Sequence, residues 1–409
     1  MISELQIGDI MKLERKLKEV LQARATQYPV VTLTGPRQSG KTTLTKLAFP
    51  DFSYVSLEDP DNLEYARRDP REFLNQFTKG VILDEAQREP DLFSYIQGIV
   101  DANDQAGQFI LTGSHNFLLL KSIKQSLAGR AAILHLLPLS NSEINQRKPS
   151  DLTNLGVNKP DPVNFNGPDL LDAMFTGGYP RIHDKGIPPQ IWLTDYYRTY
   201  LERDVLDVLA IQDMEAFGRF IRLCAGRNGQ LLNLSSLAAD CGITHTTARS
   251  WISILEGSFV LKLLRPHYKN YSKRMIKSPK LYFLDSGLLC YLLQIRTSEE
   301  LRNHSSRGAI FETFVLSELM KIFTNQGLTP DIWFWRDAKG HEVDLIVETE
   351  NGIIPIEIKS GRTVVKDFFK GLNYYRKTAK NEDGHAALIY GGNETRVQQG
   401  TVVLPWWAL

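Results

Sequence analysis

Between residues 29 and 140, short apolar runs near 30–34, 52–57, 80–84, 108–113 and 131–137 alternate with helix-compatible stretches. That rhythm predicts a mostly parallel sheet sandwiched by helices. Ahead of it, Leu13, Leu17, Val20 and Leu21 make one apolar stripe, so residues 1–28 read as helical. From Asn145 to Asp169 the chain is rich in Pro, Asn and Asp, which breaks the pattern as a linker or lid insertion does. A helical region then runs to about residue 225, including the charged, aromatic stretch Asp195 to Val205. Farther on, Leu234 to Asp240 and His245 to Glu256 predict two short helices with Gly242 at the turn. Ala248, Trp251, Ile252 and Leu255 recur at helical spacing and face inward, leaving His245, Arg249, Ser253 and Glu256 outside. Near the end the period changes to two. Glu342 to Glu348 and Ile354 to Ser360 alternate polar and apolar residues around Asn351-Gly352, the pattern of a β-hairpin.

The junction after the first strand carries the sharpest chemistry. Val30 to Thr34 is followed by Gly35-Pro36-Arg37-Gln38-Ser39-Gly40-Lys41-Thr42 and then a helix, which is a complete phosphate-loop pattern in its expected setting. Gly35 and Gly40 let the loop curl so that successive N–H groups point at phosphate oxygens, and the following helix adds its positive end. Lys41 would neutralise phosphate charge, and Thr42 would offer its hydroxyl to Mg2+. The candidate nucleotide contacts are therefore Gly35, Pro36, Arg37, Gln38, Ser39, Gly40, Lys41, Thr42 and Thr43, with ATP as the ligand.

Two later strands end in polar residues. Val81-Ile82-Leu83 delivers Asp84 and Glu85 to the edge where α/β sheets bind ligands, Asp84 for the Mg2+ shell and Glu85 for polarising the attacking water. Phe109 to Thr112 ends in Gly113-Ser114-His115-Asn116, which resembles the strand of AAA+-type ATPases that ends in a polar γ-phosphate sensor, and the resemblance implies that role for Ser114, an ordinary Ser/Asn turn being the alternative. Leu127-Ala128-Gly129-Arg130 precedes the last strand of the set, and Arg130 is a candidate arginine finger or sensor, with a surface arginine as the alternative.

Composition narrows the classes. The 409 residues suffice for two or three domains, and 48 basic against 47 acidic residues leave any nucleic-acid affinity to local patches. No run of about 18 apolar residues occurs, and Glu4, Asp9, Lys12, Glu14 and Arg15 replace a signal segment, so a cytoplasmic protein without membrane association is expected. Cys224, Cys241 and Cys290 lack metal-ligand spacing and read as buried small residues.

One local patch stands out. Arg265 to Lys280 carries six Lys or Arg, no acid, and two tyrosines, and reads as the basic wing of a winged helix. Arg249, Lys269, Lys273, Arg274 and Lys277 are the candidate DNA contacts, favouring backbone phosphates over sequence reading. On the hairpin, a two-residue turn at Asn351-Gly352 would put Asp344 opposite Lys359 and diagonal to Glu357. Asp344 and Glu357 could hold Mg2+, with Lys359 orienting water, and Glu312 on an upstream amphipathic helix could complete the metal site.

The Asp344, Glu357 and Lys359 set resembles the PD-(D/E)XK nuclease superfamily, and Gly177-Gly178-Tyr179-Pro180 resembles the Gly-x-Pro step by which some ATPase lids touch adenine. Together with loop 35–42, Asp84-Glu85 and Thr112-Gly113-Ser114, the chain resembles prokaryotic AAA-type (AAA+) ATP-binding proteins that end in a restriction-endonuclease-like domain. The resemblance implies an α/β protein: a P-loop NTPase parallel sheet over 1–144, a linker and helical lid over 145–228, a winged helix-turn-helix over 229–300 and a restriction-endonuclease-like domain over 301–409. It further implies a homo-oligomer, a ring being one form, that acts on single-stranded, duplex or branched DNA with ATP and Mg2+. A nucleotide-dependent switch with an inactive nuclease-like domain and a protein-remodelling ATPase are the alternatives.

Overall fold

The computed structural model describes residues 13–103, 105–114, 119, 123, 125–148, 155–156, 165–201, 213–267, 277–380 and 384–409. Strands β1 (Val30–Thr34), β2 (Ser53–Ser56), β3 (Val81–Asp84), β4 (Phe109–Gly113) and β5 (Ala131–His135) form one parallel sheet in the order β2-β3-β4-β1-β5. Every β1 residue is buried, because helices cover both faces of a parallel sheet and leave no polar side. Val31 and Leu33 join Leu17, Leu21, Leu44 and Ile110 on one face, whereas Val30 joins Leu83, Leu111 and Ile96 on the other. Strand β5 stops two residues short of the expected end, and Pro138 has no N–H with which to continue a ladder. Among the described residues the N-terminal helix is Leu17–Ala25.

The described parts of the segment 145–169, expected as a linker or lid insertion, are docked. Arg147 donates to Trp407 O and lies 5.0 Å from the Phe165 ring, and Leu155 is buried in the largest core. Helices follow, among them Leu170–Thr176, Pro180–Lys185 and Pro189–Tyr196. Tyr196 and Tyr197 are buried, with Tyr196 packed against Tyr179 and Trp192, while Asp195, Arg198 and Thr199 stay exposed, so this part of the stretch turns these two tyrosines to the core and its charges to solvent. Helices Leu234–Cys241 and His245–Gly257 flank Gly242 at φ +69, a left-handed turn residue. Strands β6 (Leu261–Leu264) and β7 (Lys280–Phe283) then pair antiparallel.

The C-terminal unit is a mixed sheet of β8 (Ile332–Arg336), β9 (Glu342–Thr349), β10 (Gly352–Lys359), β11 (Ala387–Tyr390), β12 (Arg396–Gln398) and β13 (Thr401–Pro405), in the order β12-β13-β11-β10-β9-β8. Helix Arg307–Asn325 shares a core with Ile354, Ile356 and Ile358, and helix Lys370–Ala379 shares another with Val343 and Ile346. The hairpin turn is Glu350-Asn351, since Thr349 pairs with Gly352 and Leu345 with Ile356. Gly352, at φ +114, opens the second strand instead of lying inside the turn. Continued one step, this register sets Asp344 opposite Glu357, not Lys359. The β8–β9 register shifts between Trp333 and Trp335, leaving one extra residue on β9, and such a bulge re-aims the side chains around Asp344.

Candidate functional site

The order β3-β4-β1 brings the C-terminal ends of three strands side by side, and the phosphate loop rises from one of them. Gly35 cannot be replaced without moving the backbone, because a Cβ there would lie 2.1 Å from Leu136 O. Lys41 is buried and donates to Gly35 O at 3.0 Å and Pro36 O at 2.9 Å. Burial lowers its pKa to about 8, against the opposing pull of Glu85 and Asp84. Ser39 Oγ is buried with no hydrogen-bond partner among the described residues. An ammonium resting on loop carbonyls and an orphaned hydroxyl fit a loop built to receive phosphate oxygens.

Asp84 is saturated with donors. Its Oδ2 accepts from Thr42 Oγ1 at 2.8 Å and Tyr54 Oη at 2.9 Å, while Oδ1 accepts from Thr112 Oγ1 and from Glu85 N at 3.2 Å. Tyr54 was not anticipated from sequence, and its phenol is pushed well up by burial and then by the Asp84 charge. Thr42 and Asp84 thus stand together where a nucleotide-bound Mg2+ would be held. Glu85 sits at φ +54, and its Oε2 accepts from Ser114 Oγ at 2.9 Å and from Gln87. Ser114 therefore touches Glu85.

Helix Pro180–Lys185 closes the space from the side. Arg37, Gln38, Gly40, Lys41, Thr42 and Thr43 share a cavity of about 420 Å3 with Glu58, Asp84, Glu85, Pro180, Arg181, Asp184 and Lys185. Sequence reasoning reached Pro180 through its motif but missed Arg181 and Lys185, which only the fold carries to the loop. Arg130 does not belong to this cavity. It precedes β5, at the N-terminal ends of the strands and so at the end of the sheet away from the loop, and its guanidinium pairs with Asp101.

Rigid contacts tie the loop to the rest of the chain. Buried Arg15 donates to Ser39 O and Leu137 O, each at 2.7 Å, and pairs with Glu143 at 3.0 Å. Burial drives the Glu143 carboxyl up, but Arg15 and the N–H groups of Ser140 and Lys16 hold it below its usual value. Asn141 N donates to Glu318 on helix Arg307–Asn325 at 2.7 Å, and Glu318 pairs with buried Lys321 at 2.8 Å.

In the C-terminal unit, Asp344 and Glu357 both meet Lys359, the former at 3.5 Å. Asp344 also accepts the Ile358 N–H at 2.8 Å. Glu312 feels the Asp344 charge but makes no hydrogen bond or ion pair with Asp344, Glu357 or Lys359 among the described residues. It lies on the helix that covers Ile354, Ile356 and Ile358, whereas Glu357 alternates with them and approaches Gly371 on the other face. Its carboxylate accepts instead from Tyr282 Oη at 2.8 Å. Among the described residues, no three His, Cys, Asp or Glu side chains come together in metal-holding geometry. Burial, then the Asp344 charge, raises the Glu312 carboxyl to about 7 and Glu357 to about 8. Glu357 Oε2 is buried and unpartnered among the described residues, so a lone pair remains for a proton or a cation.

Of the basic candidates, Arg249 and Lys277 are exposed, whereas Lys269, Lys273 and Arg274 lie outside the described residues. Lys280, counted in the same basic run, is buried and paired with Glu342, which makes it a joint between β7 and β9 rather than a surface cation. The three cysteines are free and buried. Among the described residues, no helix is long and apolar enough to cross a membrane.

The parallel sheet, the phosphate loop and the acidic strand end define a P-loop ATPase of the AAA type, and residues 27–145 match the AAA domain family. Residues 167–299 and 307–409 match two families described as domains of unknown function, DUF8612 and DUF4143. The chain is 30% identical to "Uncharacterized protein Rv2008c" of Mycobacterium tuberculosis over 366 residues, 86% of this chain and 75% of that protein, and it belongs to the same family. It is 22% identical to "Uncharacterized protein MJ1544" of Methanocaldococcus jannaschii over 98% of this chain and 93% of that one. Among solved structures, the Walker-type ATPase PABY2304 of Pyrococcus abyssi matches with a TM-score of 0.42 at 15% identity, over 70% of this chain and 97% of that chain.

Proposed function

We propose that this protein hydrolyses ATP at the phosphate loop and couples the cycle to DNA held by its middle and C-terminal units. The observation that carries the ATPase half is the meeting of Lys41, Thr42, Asp84 and Glu85 around one cavity. The N–H groups of residues 37–43 and the Lys41 ammonium bind the β- and γ-phosphates, replacing the carbonyls that now hold Lys41. Mg2+, held by Thr42 and Asp84, supplies charge neutralisation when bound. Glu85 accepts a proton from water as the water oxygen bonds to the γ-phosphorus and the bridging oxygen departs with ADP. Ser114 keeps the Glu85 carboxylate aimed.

Support for the DNA half comes from two places. The helix pair around Gly242 followed by β6 and β7 has the element order of a winged helix-turn-helix, with Arg249 and Lys277 exposed for phosphates and the segment of Lys269, Lys273 and Arg274 between the strands. The hairpin groups Asp344, Glu357 and Lys359 as a restriction-endonuclease-like domain does, and the orphaned Glu357 Oε2 suits a divalent cation shared with Asp344. Glu312, held by Tyr282 through one of its two carboxylate oxygens and close enough to feel the Asp344 charge, is the candidate third ligand.

A second reading, in which the C-terminal unit grips nucleic acid without cutting it, is favoured by Lys359 standing between the two carboxylates. ATPase rates measured with and without single-stranded, duplex and branched DNA test the proposal. Stimulation by at least one form is expected. A rate indifferent to all three favours a protein-remodelling ATPase, and mass measurement with nucleotide reports whether a homo-oligomer forms.

A further inference from the structure

A second cavity, of about 160 Å3, lies where the parallel-sheet unit, the helical segment after it and helix Arg307–Asn325 meet, and it shares no residue with the nucleotide cavity. Leu139, Ile144 and Phe314 give it apolar walls. Gly178 lets the backbone pass close to its polar side, since a Cβ there would lie 3.1 Å from Lys321 Nζ and 2.4 Å from Leu139 O.

The unspent hydrogen-bonding capacity of this lining is mostly donor capacity. Asn141 is 3% exposed, its Oδ1 accepts from Asn145 Nδ2 at 2.8 Å, and its Nδ2 is buried without a partner. Buried Lys321 gives one N–H to Glu318 Oε1 at 2.8 Å and makes no other hydrogen bond with a described residue. The carboxylates are already engaged. Glu318 Oε2 accepts from Asn141 N at 2.7 Å, and the two Asp285 oxygens accept from Gly178 N and Leu288 N, each at 2.8 Å. A buried amide N–H without an acceptor carries its full desolvation cost until something beside it supplies one.

His183 adds the opposite character. A carbonyl can only accept, so Nε2 donates to Gly177 O at 2.8 Å, and burial holds the ring below its usual pKa and neutral, which leaves Nδ1 a lone pair. An occupant must therefore bring an acceptor for Asn141 and Lys321 and an N–H for His183. Net charge is unsuited to it, because an anion would face Asp285 and Glu318 and a cation would face Lys321. The volume is close to that of a cavity of about 150 Å3 that admits benzene, which limits the occupant to one ring.

We infer that this cavity is an effector site for a small uncharged cyclic amide, a ring whose carbonyl meets Asn141 and Lys321 and whose N–H meets His183. Its lever on the nucleotide is helix Pro180–Lys185, on which His183 borders the effector cavity while Pro180, Arg181, Asp184 and Lys185 border the nucleotide cavity. A ring packed against His183 props that helix, so nucleotide affinity rises, and by linkage the nucleotide raises affinity for the ring by the same factor. The coupling rests on the nucleotide-binding reading above, whereas the site itself does not.

The test uses 2-pyridone on the full chain, with benzene and benzoate as apolar and charged controls, read by saturation-transfer NMR and calorimetry. Saturable binding of 2-pyridone, tighter than either control, is expected. Ala173→Leu, which fills the cavity, should abolish it. Asn141→Asp keeps the acceptor for Asn145, removes the free donor and should weaken binding roughly tenfold. The two substitutions lie on different elements, so if thermal melts show one variant unfolded the other decides. At saturating 2-pyridone the Kd of a non-hydrolysable ATP analogue should fall roughly fivefold or more in wild type and stay constant in Ala173→Leu. Absence of saturable binding would mean a cavity that holds only water and would overturn the inference. So would controls that bind as well as 2-pyridone, binding that survives both substitutions, or an analogue Kd that stays constant in wild type. An analogue Kd that rises would overturn it too, marking 2-pyridone as a competitor in the nucleotide cavity. If the protein binds no ATP analogue, the nucleotide reading fails by itself, and the two substitutions still decide the site.

Discussion

Asp84 and Asp344 are both buried strand carboxylates, 7% and 9% exposed, yet their surroundings differ in kind. Three hydroxyls and a backbone N–H satisfy Asp84, and a cavity of about 420 Å3 opens beside it. Asp344 instead shares one lysine with Glu357, and its charge helps push Glu357 and Glu312 toward the protonated form. An acid ringed by neutral donors is satisfied as a carboxylate without a counter-charge. Acids crowded together need a proton, a lysine or a cation between them. In the reading proposed above, the first site stands ready for its ligand and the second is closed by the protein's own charges.

The strongest way to test the ready site is to remove its central charge. Lys41→Ala should cut phosphate release by roughly 10³-fold or more, whereas Glu85→Gln should keep nucleotide binding and stop hydrolysis. Undiminished ATPase activity in Lys41→Ala would sink the assignment.

At the closed site, Asp344→Ala and Lys359→Ala should each eliminate Mg2+- or Mn2+-dependent DNA cleavage while ATPase activity stays intact. Because Glu357 must lose its proton to bind a cation, metal affinity should rise as pH increases through about 8. No cleavage of any DNA form with either metal would mark the domain as a clamp.

The contrast also reaches stability. Arg15→Ala leaves Glu143 buried without its cation, which should cost about 3–5 kcal/mol in chemical denaturation. Glu312→Gln, at a carboxyl already raised toward neutrality, should cost far less.

Proton linkage gives a smaller effect. Burial lowers the Lys41 pKa to about 8, and phosphates would raise it, so binding takes up a proton above pH 8. Nucleotide affinity should fall by up to about tenfold per pH unit there. Calorimetry at pH 8.5 in buffers of different ionisation enthalpy reads the uptake directly.

The smallest expected change concerns DNA. Replacing Lys273, Arg274 and Lys277 together should weaken binding to all sequences and flatten the salt dependence by about one unit of slope per lost contact. An unchanged slope would assign the segment to protein contacts.

Much of the first site was legible because it is local. A loop between strand and helix is written in consecutive residues, and each flanking strand, buried on both faces, must be apolar along its length. The hairpin was legible as an alternation, but its exact pairing was not, since moving the turn by one residue exchanges the partner of Asp344.

From sequence alone came the existence of the phosphate loop, the acidic strand end and the hairpin carrying Asp344, Glu357 and Lys359, because nearest-neighbour chemistry and burial period leave a mark on adjacent residues. Tertiary structure alone decided that Tyr282 takes Glu312, that Lys280 is buried against Glu342, that Asn141 is bonded to Glu318, and that Arg181 borders the nucleotide cavity while Arg130 does not. These contacts join residues 30, 62 and 177 positions apart, and no local pattern records which distant surfaces pack together.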